Sequence, residues 1–456
     1  MCYHNHLEGR RNAVKIFKRM VGAALCAALT VTLSGCVMTV DQMYVPPRRS
    51  ESYRNLQAVM DEFMEGQEYC APITGENQQT VQMADLNGDG VKEVVVFVKG
   101  NDEHPLKSLI FRLEDGEYVP LSIIESTGTA YDQVEYIQLD GEPGLEMVVG
   151  RQVSDQVMRN LTVYRFPGGQ PEQLLTVNYQ KYLTLDLSGD GRSDLFVLRP
   201  GRTEGDCGIV ELYSAPDGTV TRSAEVNLSQ SAGQLKRIMT GFLHSGERAV
   251  FAASMVDPET IVTDVYAMVD GKLTNVSMSN ESGTSVKTVR NYYVYAEDID
   301  GDGVLELPSL ISMRWPAEGR SLEEREHLIR WYALGADGTE YDKCFTYHNY
   351  LQGWYMEVEK NLAGRLCVVP EDTGRFAFCL WDRNFQQTQK LWTVHVLTGE
   401  DRSSVATEDG RFVLLKTDTV VYAATLEDAG IAAGISQENL INSFFLIQSD
   451  WKTGEM

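Results

Sequence analysis

The sequence lacks the motifs of the common hydrolases and nucleotide-binding enzymes. It contains no His-Glu-x-x-His, no Gly-x-Ser-x-Gly and no P-loop, and its seven histidines are scattered. The Gly-Asp-Gly turns begin like a dinucleotide-binding fingerprint, but they lack the third glycine and are followed by a strand pattern rather than a helix. Acidic residues are so frequent that no glycosidase pair stands out. No catalytic residue is predicted, so an enzyme is an alternative and not the leading hypothesis.

Basic residues are also scarce. The chain has 40 lysines and arginines against 65 acidic residues, which gives a net charge of −25. The segment before Cys36 holds five of the basic residues and one of the acidic ones, so its removal shifts the net charge to −29. Such a surface repels phosphate backbones and anionic headgroups. The composition therefore excludes nucleic acid as a predicted partner and fits a protein that handles divalent cations.

No apolar run is long enough to cross a bilayer as a helix, which takes about 20 residues. The run Val21 to Leu33 is shorter, follows basic residues that end at Arg19, and leads into Leu33-Ser34-Gly35-Cys36. This order is typical of a signal peptide, and the last four residues resemble the lipobox of bacterial lipoproteins. The resemblance implies that residues 1–36 hold the signal, that Cys36 is acylated, and that the chain is lipid-anchored on the extracytoplasmic face of the cell membrane. An ordinary cleaved signal peptide with a chance cysteine is the alternative.

Cysteine is sparse in the rest of the chain. Five cysteines follow Cys36 at irregular spacings, so neither a disulfide framework nor a metal–thiolate cluster is predicted. Cys367 and Cys379 flank turn-forming residues between them. They either face each other across a hairpin or are separate, half-buried thiols.

One motif recurs through the middle of the chain. Its copies start at positions 85, 138, 186 and 298, with a degenerate copy at 241, and each is followed 29 to 39 residues later by a turn such as Asp115-Gly116. Two markers that share a period of this size indicate a solenoid, propeller or array. About four short strands in each ~50-residue unit are typical of a propeller blade. The sequence thus predicts a mainly β fold, with a β-propeller of about five to seven four-stranded blades over residues 76–340.

Three copies of the motif carry polar oxygen-bearing side chains at positions 1, 3, 5 and 9 and glycine at positions 4 and 6. Such side chains in a tight turn can converge on one ion, and calcium takes about six to eight oxygen ligands. The loop differs from an EF-hand because an apolar strand pattern follows it and position 12 is not glutamate. Tight polar turns without an ion are the alternative.

The motif resembles the loops of FG-GAP/VCBS repeats, which occur in integrin-like propellers and in clostridial-type lipoproteins. The resemblance covers about 260 of the 456 residues and implies that Ca²⁺ binds, in a structural role, at one loop in each good copy. The implied ligands, with position 7 acting through its carbonyl, are Asp85, Asn87, Asp89, Val91 and Glu93; Asp186, Ser188, Asp190, Arg192 and Asp194; and Asp298, Asp300, Asp302, Val304 and Glu306.

Two copies depart from the pattern. The second has Gln138 at position 1 and Pro143 at position 6, which puts metal binding there in doubt. The degenerate copy at 241 lacks the acids and is expected to bind no metal.

The flanking segments follow other patterns. Residues 37–75 are expected to form a tether and a short amphipathic helix over Tyr53 to Tyr69. Residues 341–456 lose the period, show five strand patterns, and end in an amphipathic helix that starts near Ser436 and carries Leu440, Phe444 and Ile447 on one face. We expect a separate α+β C-terminal domain; the alternative is that its strands continue the propeller.

The leading functional hypothesis is a membrane-anchored lipoprotein that acts as a binding or scaffold protein of the cell envelope, with a protein or glycan ligand. The alternative is a surface polysaccharide hydrolase or lyase, with its site on the propeller face or in the C-terminal domain. A third hypothesis is a structural module that presents the C-terminal domain. A fold alone does not choose among these hypotheses.

Overall fold

A computed structural model describes residues 51–447, except 154–158, 204, 259, 280–281, 292–293, 314–326 and 383–386. The predicted signal peptide, Cys36 and the tether up to residue 50 lie outside the described residues. No helix in the described part is long and apolar enough to cross a membrane. The chain divides into two compact units: one holds helix α1, Glu51–Phe63, with residues 114–119, and the other holds the rest of the chain from Met64 onward.

Helix α1 confirms the helical pattern of the sequence but is shorter than predicted. It ends at Phe63 and not at Tyr69. Leu56 and Met60 are buried, as their spacing indicated. Gly66, three residues beyond the end of the helix, adopts a φ of +72°, which is outside the right-handed helical region and is easily reached only by glycine, so the helix does not continue to Tyr69.

From Glu68 onward the described residues consist mainly of strands in six sheets, and the strand pairs whose register is described are all antiparallel. Sheet 1 contains β1 Glu68–Tyr69, β2 Val81–Ala84, β3 Glu93–Lys99, β4 Leu106–Glu114 and β5 Glu117–Ser126. Sheet 2 contains β6 Ala130–Ile137, β7 Glu146–Gln152, β8 Arg159–Arg165 and β9 Glu172–Tyr179. Sheet 3 contains β10 Lys181–Leu185, β11 Asp194–Arg199, β12 Ile209–Ser214 and β13 Thr221–Asn227. Sheet 4 contains β14 Leu235–Phe242, β15 Arg248–Asp257, β16 Thr260–Val269 and β17 Lys272–Asn275. Sheet 5 contains β18 Leu307–Ser312, β19 His327–Leu334, β20 Glu340–Asn349, β21 Trp354–Val358 and β27 Phe444–Leu446. Sheet 6 contains β22 Leu366–Asp372, β23 Arg375–Asp382, β24 Gln387–Leu397, β25 Phe412–Lys416 and β26 Val421–Leu426.

The strands that follow the first three copies of the motif, β3, β7 and β11, are buried on both faces, whereas β18 after the last copy is buried only at Leu307 and Pro308. Strand β11 shows this: Leu195 and Val197 belong to the core on one side of sheet 3, and Phe196 and Leu198 belong to the core on the other side. The outer strand of the same sheet, β13, alternates between exposed and half-buried residues. Continuous apolar runs are what a strand needs when layers cover both of its faces.

Hydrophobic cores join the sheets in sequence order. Phe97 of sheet 1 packs on Tyr131 of sheet 2, with ring centroids 4.9 Å apart. Equivalent cores join sheets 2 and 3, 3 and 4, 4 and 5, and 5 and 6. Small antiparallel sheets that follow one another along the chain and pack face to face are the arrangement of propeller blades. The fold is therefore mainly β and of the propeller type; the number of blades stays a prediction.

The predicted boundary at residue 341 falls inside strand β20, which begins at Glu340 and pairs with β19. The strand patterns predicted between residues 366 and 426 form sheet 6, which shares a core with sheet 5. This arrangement favours the alternative in which the C-terminal strands continue the series of sheets. The described residues after 341 include four short helices: α2 Lys360–Ala363, α3 Arg402–Val405, α4 Asp428–Ala432 and α5 Gln437–Asn442.

The last predicted helix is correct at its start and wrong at its end. Ser436 caps α5, since its hydroxyl accepts a hydrogen bond from the backbone of Asn439 and the Asn439 side chain accepts one in return. The helix ends at Asn442. Phe444, predicted on the helix face, instead begins strand β27 and packs on Trp354 in the shared core of sheets 5 and 6.

Cys367 and Cys379 lie directly opposite each other in the β22–β23 hairpin. Both are buried and both are free thiols. The sequence left open whether these residues face each other, and the register of the two strands decides that they do.

The double burial of β11 can be tested with two alanine substitutions. Leu195→Ala and Leu198→Ala, which face opposite cores, should each lower the free energy of unfolding by about 2–5 kcal/mol. The control is Leu351→Ala, at a leucine that is 90% exposed and that should change stability by less than about 0.5 kcal/mol. Urea denaturation measures all three; a small effect at either Leu195 or Leu198 would contradict burial on both faces.

Candidate metal centres

The copies that start at 85, 138 and 186 each lie at the start of a central strand of their sheet, and the copy that starts at 298 leads into the first strand of sheet 5. The loops 85–93, 138–146 and 186–194 join β2 to β3, β6 to β7 and β10 to β11. The loop 298–306 leads directly into β18. The prediction that each loop caps a β-strand, and not a helix, is confirmed.

The three predicted metal loops share one backbone conformation. Their glycines at positions 4 and 6 all have φ values between +76° and +86°. The carboxylate at position 1 accepts hydrogen bonds from the N–H groups of both glycines; in the first loop, Asp85 accepts from Gly88 at 2.8 Å and Gly90 at 3.0 Å. Asp186 and Asp298 make the same pair of bonds. The side chains at positions 1, 3 and 5 are thereby held on the inside of one turn.

The acid at position 9 is the most buried member of each loop. Glu93, Asp194 and Glu306 are at most 2% exposed, and each accepts a hydrogen bond from the N–H group at position 2. Burial raises the pKa of all three, to about 7 for Glu306. Burying a carboxylate is costly unless a positive charge or hydrogen bonds compensate it. Each of these loops therefore favours a cation next to its buried acid.

The loop 298–306 brings the most carboxylates together. One oxygen each of Asp298, Asp300 and Glu306 lies within 4.8 Å of the others, as the ligands of one metal ion would. The Oε1 atom of Glu306 is buried and accepts no hydrogen bond from the described residues. Lys343 of β20 approaches the same group, with Nζ 2.9 Å from Asp300 Oδ2 and 2.5 Å from Asp302 Oδ2. Its ammonium group holds the pKa of Asp302 below the ordinary value.

The other two predicted loops have different partners. In the first, the side-chain amide of Asn87 donates to Asp89 at 3.0 Å and to Glu93 at 2.9 Å. In the third, the guanidinium group of Arg192 donates to the Oδ2 atom of Asp190 and to the carbonyl of Ala215. Arg192 was predicted to act only through its carbonyl; its side chain partly neutralises a neighbouring predicted ligand.

The second copy does not fit a metal ion. The Nε2 group of Gln138 donates to the carbonyl of Glu142 at 2.7 Å and to the carbonyl of Gly144 at 3.0 Å. Gly144 is position 7, whose carbonyl would be a metal ligand in the other loops. Asp140 at position 3 lies 3.4 Å from Arg165. The amide of Gln138 therefore occupies the position 7 carbonyl oxygen that an ion would need.

The loops of neighbouring sheets are joined by backbone hydrogen bonds. The N–H of Leu145 donates to the carbonyl of Asp85, and the N–H of Ser193 donates to the carbonyl of Gln138. In both pairs, position 8 of one loop donates to position 1 of the preceding loop. The backbones approach closely enough that a Cβ atom on Gly144 would lie 2.4 Å from the carbonyl oxygen of Leu86.

The degenerate copy forms a turn at the equivalent position, although it lacks the acidic residues. Its turn is closed by the N–H of Leu243, which donates to the carbonyl of Glu247. Leu305, at position 8 of the last loop, donates to the carbonyl of Phe242 in this turn. The degenerate copy thus keeps the contact between neighbouring loops.

The donor sets of the loops 85–93, 186–194 and 298–306 fit a hard divalent cation. They combine carboxylate and amide or hydroxyl oxygens with a backbone carbonyl, which are the ligands that calcium prefers. The first set would hold the ion through Asp85, Asn87, Asp89, Val91 and Glu93, once the Asn87 amide turned its oxygen inward. In the loop 298–306 the ion and the Lys343 ammonium group would compete for the same oxygens.

Two features of these loops were not predicted from the sequence. Nothing in the motif indicated Lys343, which lies on a strand distant in sequence. The burial of the position 9 acid was not predicted either, although its place directly before an apolar run is a usable signal.

Comparisons with known proteins found only remote structural similarity. No family model matches the sequence, and no curated protein matches it. A rhamnogalacturonan lyase of Bacillus licheniformis aligns with 76% of this chain and 91% of its own, at 9% identity and a TM-score of 0.29. The β-propeller domain of the Trilobed protease from Pyrococcus furiosus aligns with 70% of this chain and 89% of its own, at 13% identity and a TM-score of 0.27. Sqt1 of Chaetomium thermophilum aligns with 78% and 98%, at 9% identity and a TM-score of 0.29. The fold assignment rests on the order and packing of the sheets themselves.

The role of Gln138 can be tested by Gln138→Glu. Without calcium, this change should lower the free energy of unfolding by about 1–3 kcal/mol, since two carbonyls lose their donor and face a carboxylate. Added calcium should restore stability, because the loop then carries a negatively charged carboxylate ligand at position 1. Thermal denaturation with chelator and with calcium measures both effects.

The matched control is Gln234→Glu, which makes the same change of charge at an exposed position. It should alter neither the stability nor its response to calcium. A Gln138→Glu variant as stable as the wild type in chelator would show that the amide does not support the loop.

Proposed function

We propose that the chain is an exported lipoprotein, anchored through Cys36 to the extracytoplasmic face of the cell membrane, that acts as a calcium-stabilised binding or scaffold protein of the cell envelope. The basic segment, the short apolar run and the lipobox-like residues before Cys36 support the anchor. The buried acid in each loop, which faces further oxygen-bearing side chains, supports the calcium and is the observation that carries the proposal.

The proposed calcium ions have a structural role. Each would neutralise a buried acid at the start of the strand that follows its loop, so that loop and strand become one rigid element. Since position 8 of one loop donates its N–H to the carbonyl of the preceding loop, ordering one loop also orders its neighbour. An ion that binds only the folded chain stabilises it by mass action.

The proposal is tested by thermal unfolding of the full chain in detergent. Chelator should lower the melting temperature, because three buried acids lose their counter-ions. The triple variant Asp89→Ala, Asp190→Ala, Asp302→Ala should lose most of that shift, since each change removes the position 5 ligand of one loop. The control Asp61→Ala, Asp217→Ala, Asp418→Ala removes three exposed aspartates outside the loops and should keep the full shift. A melting temperature that chelator leaves unchanged in the wild type would refute the role of calcium.

A polar cleft is a candidate binding site for the proposed ligand, and it is also where the alternative of an enzyme can be examined. It has a volume of about 580 Å³ and is bordered by strands of sheets 2 and 3, including Arg159, Asn178, Tyr179, Arg199 and Tyr213. The size and the mixture of amide, guanidinium and phenol groups suit a few units of a glycan.

The tyrosines of the cleft favour binding over catalysis. The hydroxyl of Tyr179 donates to Asp132 at 2.6 Å, and that of Tyr213 donates to Glu211 at 2.9 Å. Burial raises the pKa of both, to about 12 for Tyr213. Neither phenol is a base at neutral pH. Both hydroxyl groups donate to carboxylates, so the donors that the cleft offers a ligand are the guanidinium and amide groups of Arg159, Arg199 and Asn178.

The ligand is tested by titrating the chain with a panel of envelope polysaccharide fragments. Arg199→Gln combined with Asn178→Ala should weaken binding by about tenfold or more, as expected when two hydrogen-bonding side chains are lost. Arg202→Gln, at an arginine outside this set of cleft residues, is the matched control and should bind normally. Cleavage of any fragment by the wild type would instead support the hydrolase or lyase.

A further inference from the structure

Lys343 has a position that the repeat pattern does not explain. Its Nζ atom lies 2.9 Å from Asp300 Oδ2, 2.5 Å from Asp302 Oδ2 and 3.7 Å from Glu306 Oε1. These oxygens belong to positions 3, 5 and 9 of the loop 298–306, which are three of its predicted metal ligands. The ammonium group thus lies among the oxygens that a divalent cation would bind.

We propose that Lys343 is a tethered counter-ion of this loop, which calcium must displace, so that this loop binds calcium more weakly than the same loop without the lysine. This inference rests on the proposed binding of calcium by the loops. It adds that one of the three sites is regulated from within the chain.

The first argument comes from strand register. In sheet 5, Trp331 pairs with Cys344 and Tyr332 pairs with Asp342, so that Lys343 is the extra residue of a β-bulge. A bulge bends the strand and redirects the side chain of the extra residue. The bulge therefore explains how a residue of β20 reaches a loop that precedes β18.

The same bulge occurs in other sheets without a lysine. In sheet 3, Leu212 pairs with Ala224 and Tyr213 pairs with Arg222, which makes Ser223 the extra residue. In sheet 2 the register leaves Leu174 in the same place. Ser223 uses its hydroxyl to donate to the carbonyl of Leu212. Among these three sheets, a basic side chain occupies the bulge only in sheet 5.

The second argument comes from charge. The loops 85–93 and 186–194 have three carboxylates each, because position 3 is Asn87 or Ser188. The loop 298–306 has four, because position 3 is Asp300. The loop with the additional carboxylate is also the loop that an ammonium group from another strand approaches, so Lys343 offsets the charge of that fourth carboxylate.

The third argument is the arrangement of the buried acid. The Oε1 atom of Glu306 accepts no hydrogen bond within the described residues, and Lys343 lies too far away at 3.7 Å to donate one. The lysine therefore balances the outer carboxylates and leaves the innermost oxygen open. A divalent ion that reached Glu306 would satisfy this oxygen but would have to break the two short ion pairs of Lys343.

The experiment isolates the loop 298–306 in the full chain. Asp89→Ala and Asp190→Ala disable the other two loops, and isothermal titration calorimetry then measures calcium binding at the remaining one. In this background, Lys343→Met should lower the Kd by at least about tenfold, because calcium no longer displaces an ammonium group. Methionine keeps an unbranched apolar side chain of similar length at the bulge.

The matched control is Lys360→Met in the same background. Lys360 also pairs with an aspartate of sheet 5, with Nζ 2.7 Å from Asp342 Oδ2, but it is 72% exposed and makes no ion pair with the loop. It makes the same change of net charge and should leave the Kd within about twofold. Equal effects of the two lysines would overturn the inference and leave only a general electrostatic effect.

A reciprocal variant gives an independent measurement. With Asp89→Ala and Asp302→Ala as background, only the loop 186–194 is left to bind calcium. Ser223→Lys then places a lysine at the bulge of sheet 3 whose register matches that of the Lys343 bulge in sheet 5. It should raise the Kd of that loop by about tenfold. Far-ultraviolet circular dichroism of each variant confirms that the fold is kept.

The outcomes separate this inference from the proposed function. If Lys343→Met leaves the affinity for calcium unchanged or lowers it, the inference that Lys343 is a tethered counter-ion is overturned. The proposal that the loops bind calcium would still stand. Failure of the wild type and of every variant to bind calcium would overturn both.

Discussion

The structure depends on a carboxylate that is buried where each of the four better copies of the loop meets the strand that follows it. The carboxylate at position 9 is at most 3% exposed in each of these copies, and it accepts a hydrogen bond from the N–H group at position 2 of its own loop. The four residues are Glu93, Glu146, Asp194 and Glu306. This bond closes the loop onto the strand and sets where the strand begins. Because one hydrogen bond does not compensate a buried negative charge, each copy needs a further partner for its acid or for the oxygens beside it.

A different side-chain group supplies this further partner in each copy. The first uses the amide of Asn87, the second the amide of Gln138, the third the guanidinium group of Arg192, and the last the ammonium group of Lys343. A calcium ion could replace the first, third and last of these groups in the proposed function. The second copy keeps its contact with the neighbouring loops without an ion, which explains how it can lose a ligand and remain part of the series.

The loops also connect the sheets. Apolar cores pack each sheet on the next, but apolar contacts alone are not directional. The backbone bond from Leu145 to Asp85, repeated from Ser193 to Gln138, adds a directional contact between neighbouring sheets at the end where the loops lie. The cores supply the main stabilisation, while the loops fix how one sheet is placed on the next.

The sequence by itself determined the features that depend on a few consecutive residues. The acids at alternate positions, the glycines with positive φ and the apolar runs predicted the loops and the strands that follow them, because these signals act within one turn. Only the tertiary structure decided where α1 ends, that Phe444 belongs to a strand, and that β20 crosses the predicted boundary at residue 341. It also decided that Cys367 faces Cys379 and that Lys343 reaches the last loop. These features depend on strand register and on packing between segments distant along the chain, which no local pattern records.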